Sequence, residues 1–266
     1  MRTITEPARE IDVIHETDVL VVGSGPGGLS AAIGAARAGV DVTLVERFGC
    51  FGGNITAVGV EGFAWYRHEK TVDTEGVGRE FEDRAKSAGA GTPEPQSDSY
   101  ALDAEAFKVV ADNLVEEAGV QPMLHRAFAA PIMDGNRICG IITESKAGRE
   151  AILAERVIDA TGDADVAHRA GALTRKTPVE EMQAASVMFS MSGVDRKRFI
   201  EAVKATRKHT RIGKAASGRL RPPARKTRCS RPSSGSRLKR PWKRALSRRT
   251  CRRSPEHGAR SMTAAI

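Results

Sequence analysis

The chain has 266 residues, a formal net charge of +9 at pH 7 and four cysteines. No run of about 18 apolar residues and no apolar leader region is present, which argues against a membrane span and a secretory signal and favours a cytoplasmic location. The cysteines show neither Cys-x-x-Cys spacing nor a cluster with histidine, so the sequence indicates no disulfide framework and no metal site.

The positive charge lies in one C-terminal segment. Residues 206–266 contain 20 Lys and Arg and one acidic residue, Glu256, whereas residues 1–205 contain 22 Lys and Arg and 32 Asp and Glu. The segment has no apolar periodicity and cannot bury enough surface to offset its ordering entropy, so we predict a disordered basic tail. We hypothesise that the tail is an out-of-frame read of a GC-rich gene, with a genuine nucleic-acid-binding extension as the alternative.

The first predicted elements form a strand–turn–helix–strand unit. An extension, residues 1–16, precedes a β-branched run at residues 19–22 that is typical of a strand buried on both faces. Apolar residues at helical spacing then predict a helix over residues 27–38, followed by a second strand over residues 42–45 that delivers the carboxylate of Glu46.

The turn between the first strand and the helix reads Gly-Ser-Gly-Pro-Gly-Gly. Gly23 and Gly25 would let backbone approach a pyrophosphate, and Gly28 would let the helix lie close to the strand. The helix N-terminus near Pro26 and Gly27 would receive the phosphates, because its N–H groups lack partners inside the helix. With an acidic residue after the second strand to bind a ribose, this order predicts a dinucleotide site.

Residues 63–100 interrupt the alternation of strands and helices. This stretch contains Trp65, Tyr66, Arg67 and His68 and a Pro/Ser-rich run, and we interpret it as an insertion over the cofactor that carries substrate contacts. Arg67 and His68 are candidates to bind a substrate carboxylate or move a proton, with a solvated loop as the alternative.

The remaining elements complete an α/β pattern. Asp103 is predicted to cap a helix, and extended runs at residues 120–124, 128–133, 138–143 and 151–154 predict a β-meander beside a parallel sheet. A further strand is expected at residues 182–192, within a segment, residues 173–205, that begins a substrate domain. The predicted fold is therefore a Rossmann-like parallel sheet with a β-meander, formed by residues 17–62 and 101–172.

Two further motifs specify the dinucleotide: residues 46–54, with Gly-Gly-Asn after a Glu-Arg pair, and residues 156–165, with Ala-Thr-Gly-Asp. With them the chain resembles the FAD-dependent oxidoreductases of the glutathione-reductase-like fold, from about residue 17 to about residue 203. In that family the Gly-Gly-Asn loop lies along the pyrophosphate and ribityl chain, and the Ala-Thr-Gly-Asp stretch closes the underside of the cofactor. Backbone at the position of Phe128 would touch the adenine.

The candidate cofactor-binding residues are those of the three motifs together with Phe128: Gly23, Gly25, Pro26, Gly27, Gly28, Glu46, Arg47, Gly52, Gly53, Asn54, Phe128, Thr161, Gly162 and Asp163. The residues alone indicate less, namely close approach of an anionic ligand at paired glycines and hydrogen-bonding groups at a strand end. An ordinary loop at Gly52 and a helix cap at Asp163 are the simpler alternatives.

The sequence thus predicts an FAD-dependent oxidoreductase, or the N-terminal part of one, that transfers hydride between a small organic substrate and the flavin. Alternatives are a nicotinamide-binding or non-redox Rossmann protein and a nucleic-acid-binding protein acting through the tail. In the resembled family a C-terminal segment closes the flavin site and has no match here, so this chain is expected to bind FAD weakly or not at all. Cys50 is a minor redox candidate, His125, His168 and Cys139 are expected to be structural, and no catalytic acid or base, electron acceptor or oligomeric state is indicated.

Overall fold

The computed structural model describes residues 2–63, 67–68, 71–72, 75–93 and 99–207. These residues belong to two compact units, of which the first ends at Met188 and the second begins at Phe189. The predictions for Trp65, Tyr66 and residues 208–266 of the tail lie outside the described residues. Among the described residues, no helix is both long and apolar enough to cross a bilayer.

The first unit contains ten strands and four α-helices among its described residues. The strands are β1 (Val13–Val22), β2 (Val42–Val45), β3 (Arg67–His68), β4 (Thr71–Val72), β5 (Gly91–Pro93), β6 (Tyr100–Leu102), β7 (Gln121–Met123), β8 (Ala127–Asp134), β9 (Arg137–Ser145) and β10 (Gly148–Asp159). The helices are α1 (Pro26–Arg37), α2 (Val77–Ser87), α3 (Ala104–Glu117) and α4 (Asp165–Arg169), and a single 3₁₀ turn spans Val179–Glu181. In the second unit the described residues form one helix, α5 (Arg196–Arg207).

A six-stranded sheet with the order β7-β2-β1-β10-β9-β8 organises the first unit. The strands β7, β2, β1 and β10 pair in parallel, and β10, β9 and β8 follow as an antiparallel meander. The pairs β3–β4 and β5–β6 form separate two-stranded sheets. The predicted fold, a Rossmann-like parallel sheet with a β-meander, is confirmed.

Alternate residues of β1 face opposite sides of the sheet. Val21 packs in the cluster that contains α1, α2 and α3, whereas Leu20 and Val22 pack with β9, β10 and Val166 of α4. Both faces are therefore covered, as the uninterrupted apolar run of this strand predicts. Cys139 is buried in β9, as expected.

The helix α3 begins directly after Asp103, which is its N-cap as predicted. The Ala106 N–H donates to the Asp103 carboxylate at 2.9 Å, which satisfies one of the N–H groups left free in the first turn. On the buried face of the helix the Phe107 ring meets the Phe63 and Phe81 rings edge-on, with centroids 6.1 Å away in each case. These three rings join α3 to α2 and to the loop before β3.

The bounds of two strands differ from the prediction. β1 begins at Val13, inside the predicted extension, because it pairs in parallel with β10 from Val13↔Ala151 to Val22↔Asp159. β10 extends beyond the predicted run of residues 151–154 at both ends, because it pairs with β9 from Gly148 to Leu153 and with β1 from Ala151 to Asp159. Pairing partners, which a local pattern does not reveal, set these bounds.

The strand predicted at residues 182–192 is wrong. Every one of these residues is described, and they form no strand. They lie exposed, with relative accessibilities of 84% for Val187 and 77% for Phe189. Apolar composition favours a strand only where a neighbouring strand receives its N–H and C=O groups. The helix α5, which follows, was not predicted.

Part of the predicted insertion belongs to the helical layer. In α2 the residues Phe81 and Ala85 are fully buried against α1 and α3, and the Arg37 guanidinium of α1 donates to both oxygens of Glu80 at 2.7 and 2.9 Å. This hydrogen bond, opposed by desolvation, lowers the pKa of Glu80. The position of the rest of residues 63–100 over a cofactor stays a prediction.

We expect Phe107→Ala to lower the free energy of unfolding by about 3–5 kcal/mol, because the ring is fully buried and its removal leaves a cavity between α2 and α3. The measurement is urea denaturation followed by circular dichroism. Val109→Ala on the exposed face of the same helix, with 59% of Val109 accessible, is the control and should cost less than about 0.5 kcal/mol. Equal losses in the two variants would contradict the packing of the Phe107 ring between α2 and α3.

Candidate functional site

The three sequence motifs meet at the carboxyl ends of neighbouring parallel strands. In the sheet Val22 is paired with Val45 on one side and with Asp159 on the other. The glycine-rich turn, the Glu46 loop and the Ala-Thr-Gly-Asp stretch therefore leave the sheet side by side. This edge is where open α/β sheets bind ligands.

Two glycines of the first turn are required by packing within the protein. A Cβ on Gly28 would lie 1.9 Å from the Gly23 carbonyl oxygen, and a Cβ on Gly23, whose φ is +97°, would lie 2.4 Å from the Ala160 carbonyl oxygen. Gly28 thus lets α1 approach β1, as predicted. Gly23 fits against the end of β10, a packing role that the sequence pattern did not indicate.

The other two glycines of the turn face open space. A Cβ on Gly25 or Gly27 would meet nothing within 4 Å. Gly25 is the N-cap of α1, Pro26 lies in the first turn, and the Leu29 N–H makes the hydrogen bond to the Gly25 carbonyl, at 2.9 Å. The N–H groups before Leu29 point out of the helix end, and the helix dipole makes this end favourable for an anion.

The second glycine-rich loop lies against the first. The Gly52 N–H donates to the Ser24 carbonyl at 2.9 Å, and a Cβ on Gly53, whose φ is +53°, would lie 2.7 Å from the Gly25 Cα. Asn54 follows with an exposed side chain. The structure therefore brings the Gly-Gly-Asn loop to the helix end where the phosphates are predicted.

Glu46 is buried between these two loops, with 5% of the residue accessible. Its Oε2 accepts hydrogen bonds from the Ser24 N–H at 2.8 Å and from the Ser24 hydroxyl at 2.6 Å, and its Oε1 accepts one from the Phe48 N–H at 2.9 Å. A carboxylate has about four acceptor positions, so roughly one remains on Oε1. Arg47 is exposed and its guanidinium lies 4.7 Å from the centroid of the Phe48 ring.

The Ala-Thr-Gly-Asp stretch is shaped by Asp159, the last residue of β10. Its carboxylate accepts from the Thr161 N–H at 3.1 Å, from the Thr161 hydroxyl at 2.7 Å and from the Ala167 N–H at 2.9 Å. Burial raises the pKa of Asp159, but these hydrogen bonds outweigh that effect and the pKa lies below its ordinary value. Asp159 thus fixes the path of the chain from β10 into α4.

Gly162 and Asp163 are exposed on this loop. Gly162 has a φ of +96° and a Cβ there would meet nothing within 4 Å. Asp163 does not cap α4, because the N-cap is Ala164 and the Asp165 N–H donates instead to the Thr161 hydroxyl at 2.9 Å. The simpler alternative for Asp163 is therefore wrong, and its carboxylate faces solvent at the predicted cofactor loop.

Phe128 lies near the start of β8, and the two residues before β8 are hydrogen-bonded to the Glu46 loop. The Arg126 N–H donates to the Glu46 carbonyl at 2.9 Å, and the His125 N–H donates to the Phe48 carbonyl at 3.2 Å. Phe128 itself is partly buried and the Arg169 guanidinium lies 5.5 Å from its ring centroid. Contact of its backbone with an adenine stays a prediction.

The remaining candidates are placed as follows. Cys50 is free and its thiol lies 3.8 Å from the Thr56 hydroxyl. His168 Nδ1 lies 3.0 Å from the Thr174 hydroxyl. Arg67 and His68 form β3. Within the described part of the chain no group of His, Cys, Asp and Glu is arranged to hold a metal ion.

Two residues that shape the site, Ser24 and Asp159, were absent from the prediction. Both hydrogen-bond to other protein groups rather than facing an open space, so motifs defined by ligand contacts do not reveal them.

An open cleft of about 410 Å³ lies beside α2, and none of the predicted site residues lines it. Its lining residues are Glu75, Gly76, Arg79, Glu80, Asp83, Arg84 and Ser87.

The fold and the site define an α/β protein that binds a dinucleotide. A family model described as FAD dependent oxidoreductase matches residues 18–257. The chain therefore belongs to the FAD-dependent oxidoreductase family, and its cofactor is FAD. The match begins at the start of the predicted dinucleotide unit and extends into the basic segment.

Individual relatives are similar over part of their length. Digeranylgeranylglycerophospholipid reductase 2 of Methanopyrus kandleri is 30% identical over 195 residues, which are 68% of this chain and 46% of that protein. Thiamine thiazole synthase of Saccharolobus islandicus is 30% identical over 165 residues, 57% of each chain. The crystal structure of a geranylgeranyl bacteriochlorophyll reductase-like protein of Thermoplasma acidophilum has 21% identity and a TM-score of 0.46, covering 59% of this chain and 42% of that one. The chain spans about half the length of the curated relatives it matches.

We expect Gly28→Ala to destabilise the fold by more than about 2 kcal/mol, because the added Cβ would overlap the Gly23 carbonyl. Gly27→Ala is the matched control in the same helical turn, since its Cβ meets nothing within 4 Å. The free energies of unfolding in urea are compared. Equal stability of the two variants would contradict the close approach of α1 to β1.

The stabilisation by Asp159 should depend on pH. Since its folded-state pKa is lowered, its contribution is complete above the unfolded pKa of about 3.9 and is lost as the pH falls through the folded value. We expect Asp159→Asn to lower the free energy of unfolding at pH 7, and the difference from wild type to shrink below about pH 4. Asp163→Asn, an exposed carboxylate in the same loop, should show no such difference at either pH.

Proposed function

We propose that the edge of the sheet formed by β1, β2 and β10 binds the adenosine diphosphate half of FAD, and that the protein is an oxidoreductase transferring hydride between a small organic substrate and the flavin. The observation that carries this proposal is the space in front of Gly25 and Gly27 at the N-terminus of α1, beside the buried carboxylate of Glu46. A Cβ would enter that space without touching any protein atom. The residues therefore fit a phosphate-bearing ligand.

In this proposal the diphosphate is held by backbone rather than by side chains. The N–H groups of the first turn of α1 donate to its oxygens, and the helix dipole adds a favourable term of about 0.3–1 kcal/mol. The loop of Gly52 and Gly53, which packs on Gly25, adds a second stretch of backbone on the same side. Gly162 and Asp163 would face the ribityl chain from the β10 side.

The ribose is recognised by Glu46. Its carboxylate accepts three hydrogen bonds from the protein and has one acceptor position left for a ribose hydroxyl. A nucleotide with a 2′-phosphate would bring negative charge against this carboxylate, which disfavours that class of dinucleotide. This argument supports FAD over a phosphorylated nicotinamide cofactor.

When bound, FAD supplies the hydride chemistry, and the chain's own groups bind and orient the cofactor. The two similar proteins bear the names digeranylgeranylglycerophospholipid reductase and thiamine thiazole synthase, and the substrate of neither is assigned to this chain. A small-molecule substrate and a cytoplasmic location remain parts of the proposal.

The proposal is tested with a pair of glycine variants. Gly25→Ala should weaken FAD binding at least about tenfold while leaving the free energy of unfolding nearly unchanged, because the Cβ enters the space kept for the diphosphate. Gly34→Ala, in the same helix and also with nothing within 4 Å, should bind FAD like the wild type. Binding is followed by flavin fluorescence and by the absorbance of the reconstituted protein.

Equal affinity of Gly25→Ala and wild type would contradict the phosphate site. Binding of NAD in preference to FAD, without flavin absorbance after reconstitution, would support the nicotinamide alternative. Salt-sensitive binding of DNA by the full chain, with no binding of FAD or ADP, would support the interpretation based on the basic segment.

A further inference from the structure

Ser24 stands between the first two glycines of the glycine-rich turn and is fully buried. Both of its hydrogen-bond donors point at one atom, since its N–H and its hydroxyl donate to Glu46 Oε2 at 2.8 and 2.6 Å. A hydroxyl at this position is not required by the turn, whose backbone geometry depends on the neighbouring glycines. Its partner across the two loops is the carboxylate that the proposed function assigns to the ribose.

The number of acceptor positions on Glu46 follows from these contacts. Oε2 has about two lone pairs and both receive Ser24 donors, while Oε1 receives the Phe48 N–H and keeps about one. A carboxylate without the Ser24 hydroxyl could offer one acceptor on each oxygen and could therefore bind both hydroxyls of a ribose.

We propose that Ser24 is a positioning residue that restricts Glu46 to a single ribose hydroxyl and fixes which of the two hydroxyls it accepts. This inference rests on the proposed function, because it assumes that the nucleotide lies at this edge of the sheet. The consequence is that only one of the two hydroxyls of the adenosine ribose contributes to binding affinity through Glu46.

The experiment measures the affinities of ADP, 2′-deoxy-ADP and 3′-deoxy-ADP for the full chain by calorimetry. In wild type one deoxy analogue should bind at least about tenfold more weakly than ADP, and the other within about threefold of it, because only one hydroxyl meets the buried carboxylate. In Ser24→Ala the ratio between the affinities of the two deoxy analogues should move at least about threefold toward one, because the acceptor position freed on Oε2 can receive the second hydroxyl.

Ser99→Ala is the matched control. Ser99 is also buried and its hydroxyl donates to the Phe63 carbonyl, so this variant likewise removes one internal hydrogen bond. It should lower the melting temperature without changing the ratio of the two deoxy analogues. A purely structural role of Ser24 would give the same result as this control.

A double-mutant cycle with Glu46→Gln separates the remaining outcomes. If Ser24 acts through Glu46, Ser24→Ala should have no further effect on the ratio when Glu46 is already replaced. Should Ser24→Ala not fold, Ser24→Cys, which keeps a weak donor of similar size, should give an intermediate ratio. An unchanged ratio in the folded Ser24 variant, or equal weakening by both deoxy analogues in wild type, overturns the assignment; failure of wild type to bind ADP overturns the proposed function itself, and the assignment with it.

Discussion

The structure at the cofactor edge depends on a carboxylate that is buried between two loops. Removing a charge from water costs several kcal/mol unless hydrogen bonds replace the lost hydration. Glu46 meets this requirement with donors from both loops, two from Ser24 after β1 and one from Phe48 after β2. Charge-assisted hydrogen bonds contribute about 1.5–3 kcal/mol each, so the two loops are held together by the residue that would also recognise the ligand.

The glycines of the site fall into two groups according to what a Cβ would meet at each position. At Gly23 and Gly28 the missing Cβ is replaced by protein backbone, whereas at Gly25 and Gly27 nothing replaces it. The sequence shows one pattern of glycines and cannot separate these groups, because a turn and a ligand both exclude side chains. The distinction matters for function, since only the second group leaves room for something that is not protein.

Much of the fold could be predicted because its signals are local. The cap at Asp103, the apolar stripe of α3 and the β-branched run of β2 each lie within a few residues, and these elements are found where they were expected. The sequence reading missed α2, whose surface is strongly charged and whose buried residues are few, and it placed a strand at residues 182–192 where no partner strand pairs with them. Both errors concern tertiary contacts, which decide whether a short amphipathic or apolar stretch becomes a helix or a strand.

Two carboxylates lie near the place where the proposed function puts a diphosphate, and their hydrogen bonds reduce the repulsion. The carboxylates of Glu46 and Asp159 end strands on either side of β1, and a diphosphate bound at the start of α1 would be repelled by both. In each case donors of the protein, mostly backbone N–H groups, already bind the carboxylate. Their dipoles offset part of the negative charge, while the free N–H groups of α1 lie in front of the open space at Gly25 and Gly27. The edge can therefore hold acidic residues for the sugar and for the loop geometry and still favour an anion at the helix end.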